Sequence, residues 1–268
     1  MLTVLQTFDI ILPVLYAANL ALYVRHFVRE GDDSDSLRRV TVPLMLVVHG
    51  AYFVIRGSEF SYFPLGSKPE FFSWLAYSLV LVYAAVERQL KQGRTGMFFL
   101  AIALFFQTGA SVFMEYSAKH ALLLENPVYA IHVIFTVLGV TALSVGALYS
   151  VMYAILSRQL KKREMGLFFK KLPPLALLDR SSKIGTVAGI ALLGFGLGVG
   201  YAVAWEVDAF VSFGDPKLLA TNVVWVGYVL GALWVKFKGL PSLKVAWLTI
   251  FWFLVFLGSA GANHSFLQ

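Results

Sequence analysis

Along the 268 residues, long apolar runs alternate with short clusters of charge, proline and glycine. A bilayer-spanning helix requires about 20 mostly apolar residues, because a rise of about 1.5 Å per residue has to cover a hydrocarbon core of about 30 Å. Eight stretches meet that requirement, at about 5–24, 40–56, 71–87, 96–114, 128–156, 184–205, 219–235 and 245–261. The runs are continuous: segments such as LAIALFFQTGASVF and VAWLTIFWFLVFLG lack the alternation that a membrane barrel strand needs. The pattern predicts an all-α polytopic membrane protein with about eight transmembrane helices. The start, MLTVLQTFDIILPV, has no basic lead of the kind that opens a secretory signal, so the first run is predicted to be a retained span.

Composition agrees with this class and narrows the chemistry. The chain is 59% apolar and 14% charged, against roughly 25% charge in soluble domains. Cysteine is absent, which removes disulfides, thiolate metal sites and cysteine nucleophiles. The net charge of +7 is topological. One set of alternate loops collects all but four of the 22 Lys and Arg residues, the four being Arg56, Lys68, Lys119 and Lys217. By the positive-inside rule the rich side is cytoplasmic, which puts both termini on the non-cytoplasmic side of a cell (inner or plasma) membrane. Basic residues at lipid headgroups account for the charge, so no nucleic-acid partner is implied. The longest cytoplasmic stretch, 157–183, carries an apolar patch, Met165 to Phe169, between basic clusters and is expected to lie on the membrane surface.

Few motifs carry chemistry. In GFGLGVG (Gly194 to Gly200) neither a preceding strand nor a Lys supports a phosphate loop; Gly194/Gly198 and Gly196/Gly200 instead read as ridges of small residues that let helices approach closely. The acidic run from Asp32 to Asp35 lacks calcium-loop spacing and reads as a solvated turn. No HExxH, GxSxG or serine/lysine pattern is present, and the carboxylates fall near span ends, so neither turnover chemistry nor a buried acid for proton-coupled transport is indicated.

Histidine remains. His26 and His120 fall in loops, whereas His49 lies within the second span, where an imidazole is costly unless hydrogen-bonded or ligated. His132 opens the fifth span and His264 follows the last, so both are expected at the outer face. Two neutral imidazoles there suit the axial positions of a haem iron or remain bystanders; zinc needs a third ligand, for which His120 or Asp215 is available.

Several segments, taken in order, resemble the cytochrome c assembly family, specifically its short eight-span CcsA/HemX-like branch. They are His49, the Tyr62-Phe63-Pro64-Leu65 stretch leading to Trp74, Ile131-His132-Val133, Leu172-Pro173-Pro174 with Leu178-Asp179-Arg180, Asp215-Pro216-Lys217 ahead of Trp225 and Tyr228, and His264. The resemblance runs over residues 40–266, leaving 1–39 as a first span and cytoplasmic turn. It implies that His132 and His264 are the outer axial ligands of a non-covalent haem b, flanking an aromatic loop built here from Trp205, Phe210, Phe213, Asp215, Pro216, Lys217 and Trp225. His49 would then be an intramembrane haem station. Lys217 is the loop cation suited to a propionate, with Arg56 or Lys119 to assist. This chain has fewer tryptophans in that loop than the synthases of the family, and Leu233 stands where they carry a further histidine. Both departures point to a haem-binding or haem-relay role in cytochrome c assembly or haem supply rather than to an enzyme.

The partners implied are haem, a companion membrane subunit or an apocytochrome c, and a cytoplasmic enzyme at 157–183. Two alternatives stand beside this reading: a regulatory scaffold for a haem-biosynthesis enzyme that holds no haem, and a small-molecule permease with His49 in its path.

Overall fold

A computed structural model describes residues 2–29, 35–90, 93–116, 127–163, 166–206 and 216–259. Among them the secondary structure is helical throughout: α1 (Leu2–Val28), α2 (Asp35–Phe60), α3 (Lys68–Leu90), α4 (Gly96–Val112), α5 (Pro127–Lys162), α6 (Leu167–Lys171), α7 (Leu175–Glu206), α8 (Pro216–Lys238) and α9 (Ser242–Ser259). All but the short α6 are long and apolar enough to cross a membrane, which makes eight candidate spans. The eight spans and the helical class expected from the apolar runs are both present. Large apolar side chains such as Ile10, Val54, Phe105 and Val187 are exposed along the spans, as a lipid-facing surface requires.

Helix ends follow local chemistry. Ser67 and Glu70 form a capping box at the start of α3: Glu70 N–H donates to Ser67 Oγ at 3.3 Å and Ser67 N–H donates to Glu70 Oε2 at 2.9 Å. At the far end of α8, Gly239 takes φ +59° and its N–H donates to the Val235 carbonyl, after which Pro241 prevents continuation. Pro13 and Pro43 lie inside α1 and α2, a tolerance that membrane helices show because neighbouring groups re-satisfy the freed backbone.

The segment 157–183 is more regular than expected. α5 continues to Lys162, α6 covers part of the apolar patch and α7 begins at Leu175. A run of apolar residues marks where a helix meets lipid, not where it stops, so α5 at 36 residues extends about 54 Å and outreaches a core of about 30 Å.

The chain divides into two compact units, 1–126 and 127–268. In the first, α1 packs against α2 and α4, and α3 packs against α2 and α4, around Leu5, Leu12, Tyr52, Phe53 and Phe60. In the second, α5 and α7 form the most extensive pairing, with α9 against α5 and α8 against α7 and α9. Glycine permits that pairing. A Cβ on Gly139 would lie 2.5 Å from the Leu193 nitrogen, and one on Gly185 would lie 2.8 Å from the Gly146 nitrogen, so the two backbones touch where side chains would separate them.

Candidate functional site

His132 sits in the second turn of α5, where this helix meets the C-terminal half of α7. Its Nδ1 lies 2.7 Å from the Gly196 carbonyl oxygen, and its ring covers Gly200, where a Cβ would come within 2.5 Å of Nδ1. Tyr129 packs on the ring at a centroid distance of 5.7 Å. A carbonyl oxygen can only accept, so Nδ1 carries the proton and the lone pair of the neutral imidazole resides on Nε2. An imidazole oriented through one nitrogen with its other nitrogen basic is the arrangement found in metal-ligating histidines. The glycine ridge read from the sequence therefore does two things: Gly196 and Gly200 bring α5 close, and together they seat the imidazole. Gly194 instead meets the ring of Trp225, while a Cβ on Gly198 would meet nothing within 4 Å, so Gly198 takes no part in the close approach.

The other expected haem contacts fall as follows. Trp205 projects from the end of α7 and is 85% exposed. Trp225 is used within the unit: its Nε1 donates to the Ile190 carbonyl at 2.9 Å and its ring fills the space over Gly194, tying α8 to α7. Pro216 and Lys217 open α8. His264, Phe210, Phe213 and Asp215 lie outside the described residues, as do His120 and Lys119. Leu233 is exposed on α8.

His49, in the other unit, is fully buried and engaged at both nitrogens. Tyr16 Oη stands 2.9 Å from Nδ1, and Nε2 stands 2.9 Å from Ser73 Oγ. Ser73 in turn donates to Gln107 Oε1 at 3.0 Å, and Gln107 Nε2 donates to Ser111 Oγ at 3.1 Å. Because the Ser73 hydrogen goes to Gln107, Ser73 accepts from Nε2–H, and Nδ1 accepts from Tyr16. One hydrogen-bond relay with a single direction thus crosses α1, α2, α3 and α4. Phe53 packs against the His49 ring at 4.6 Å and stacks on Trp74 at 4.0 Å; Phe53 and Trp74, with Phe63 and Tyr77, border a cavity of about 510 Å³.

Sequence reasoning missed one further cluster. Arg56, expected to assist a propionate, is 2% exposed and pairs with Glu70 at 2.6 Å. Its Nη2 donates to the Glu115 carbonyl at 2.9 Å, and Glu70 also accepts from Tyr62 Oη and the Gly66 N–H, each at 2.7 Å. Tyr116 donates to Asp9 beside it. Burial and the adjacent Glu70 carboxylate both raise the Tyr62 phenol above its ordinary range. The readable signal was the Ser67-x-x-Glu70 capping pattern, which places a carboxylate at the mouth of α3 within reach of the end of α2.

Among the described residues no group of three or more His, Asp or Glu is placed to hold a bare metal ion. The chain is similar to the Protein HemX of Bacillus subtilis (strain 168), with 23% identity over 222 residues that cover 80% of this chain and 79% of that protein. No solved structure matches the chain. The family described as Cytochrome C assembly protein matches residues 9–258, which takes in most of the first helix and all of the quoted motifs but His264. With eight candidate spans and a family match over most of its length, the chain belongs to the cytochrome c assembly protein family.

Proposed function

We propose that this protein binds or relays haem b through His132 and His264 at the non-cytoplasmic face of a cell membrane and so assists cytochrome c assembly or haem supply. One observation carries the reading: the Gly196 carbonyl orients the His132 ring so that its basic nitrogen is Nε2, and a cradle made by the absent side chain of Gly200 holds it there. Bis-imidazole ligation would keep the iron low-spin and leave no open position, which suits carriage rather than turnover. Trp205 and the aromatic residues around 210–213 would cover the macrocycle, and Lys217 would meet a propionate. His49 would act as an intramembrane station only when Tyr16 releases Nδ1, the ring nitrogen that carries the lone pair. A haem partner, an apocytochrome c and a companion membrane subunit belong to the same proposal.

The test is absorbance. Full-length protein purified in detergent from haem-replete cells is expected to show a Soret band that weakens or shifts in His132→Ala and in His264→Ala. A colourless protein whose basic segment 157–183 captures a soluble enzyme would replace this reading with the scaffold; uptake in proteoliposomes that is lost with His49→Ala would replace it with the permease.

A further inference from the structure

A second cavity, of about 220 Å³, opens in the other half of the second unit, between α7, α8 and α9. Its walls are apolar, with Val187, Tyr228, Leu248 and Trp252, and its rim carries Lys183 from α7 and Lys236 from α8. Gly231 keeps it open: a Cβ there would stand 3.0 Å from the Leu248 side chain. Lys183 is held by Asp179 at 2.7 Å and is 45% exposed, whereas Lys236, in the last turn of α8, is exposed at the rim. Lys238 and Lys244 flank the same helix ends, so this end of the cleft is cationic despite Asp179.

We infer that this cleft is a binding site for an anionic phospholipid, with the phosphate at Lys183 and Lys236 and one acyl chain running inward beside Tyr228 and Trp252. The charge is complementary, and the depth is right: Lys236 stands in the last turn of α8 and Lys183 at the start of the apolar run of α7, with the apolar walls one to three turns further in. The cleft is smaller than the roughly 300–1,000 Å³ that encloses a drug-sized ligand, so it takes a narrow chain rather than a flat macrocycle. Val187, 62% exposed at the wall, marks the flank open to surrounding lipid. The inference does not depend on the haem site.

Trp252 supplies the readout. Full-length protein in detergent is titrated with phosphatidylglycerol or phosphatidylcholine carrying brominated acyl chains, and the quenching lost in Trp252→Phe is assigned to the cleft. Phosphatidylglycerol is expected to quench at lower mole fraction than phosphatidylcholine. The substitutions Lys183→Gln and Lys236→Gln should each raise the half-quenching concentration about fivefold, as expected for one cation near an anionic headgroup. Gly231→Leu should abolish the Trp252 component for both lipids with helicity retained; if that variant does not fold, the surface lysine variants carry the test alone. Equal quenching by the two lipids, indifference to the lysine substitutions, or displacement of the brominated lipid by equimolar haemin would overturn the proposal.

Discussion

His132 Nδ1 and the Gly196 carbonyl oxygen lie 2.7 Å apart, joining the start of α5 to a helix 64 residues further along the chain. This one contact fixes the tautomer of the imidazole and also depends on glycine at two positions of α7, because any side chain at 196 or 200 would occupy the space of His132 or its neighbours.

Gly200→Val should therefore displace the ring and weaken haem binding by about 10- to 100-fold, the usual loss when the group that orients a metal-bound histidine is disturbed. Haemin titration followed in the Soret region measures it. Gly198→Ala, one turn from Gly194 and facing open space, should leave the titration unchanged.

The His49 relay predicts a separate outcome. His49→Phe leaves the Tyr16 hydroxyl buried without its acceptor, at a cost of about 1–3 kcal/mol, while Ser73 keeps its bond to Gln107. Thermal unfolding in detergent should report the loss, while a Soret band set by the proposed His132 and His264 ligands should stay in place. A band that disappears with His49→Phe in a protein of undiminished helicity would assign the iron to His49.

Arg56 and Glu70 should behave as one unit. Either Arg56→Met or Glu70→Gln leaves a buried charge uncompensated, so each single substitution is expected to destabilise the first unit by about 3–5 kcal/mol. The double variant should lose much less than the sum, because neither charge then remains. A double-mutant cycle in chemical unfolding checks this, and haem binding should not follow it.

Alkaline pH gives a further check on the same cluster. Tyr62 titrates higher in the folded protein than in the unfolded chain, so its contribution is fully present below about pH 10 and falls as pH rises above that value. Tyr62→Phe should flatten the decline in stability above pH 10 relative to the parent, measured by thermal unfolding across pH 9–11. An unchanged slope would mean that the phenol is not held by burial and Glu70.

The number and class of the spans were legible because lipid imposes the same demand on each helix separately: about 20 apolar residues with every backbone group bonded within the segment. The capping box at Ser67 and the stop at Gly239 are local in the same way, since their partners lie within a few positions. The role of the glycine motif was half legible. Its spacing announced close packing, but which glycine would meet Thr136, Trp225 or His132 depends on the rotation of α7 against α5 and α8, and no local pattern encodes that rotation. Arg56 shows the same boundary: its charge was visible in the chain, while Glu70 and the Glu115 carbonyl became its partners only when α2, α3 and the segment after α4 came together.

The chain pattern determines an eight-span helical membrane protein, because hydrophobic burial in lipid acts on each segment independently of its neighbours. Tertiary structure decides which polar groups inside those spans meet: His49 with Tyr16 and Ser73, His132 with Gly196. In a medium without water each buried donor must find an acceptor within about 3 Å, and only the packing of the helices chooses it.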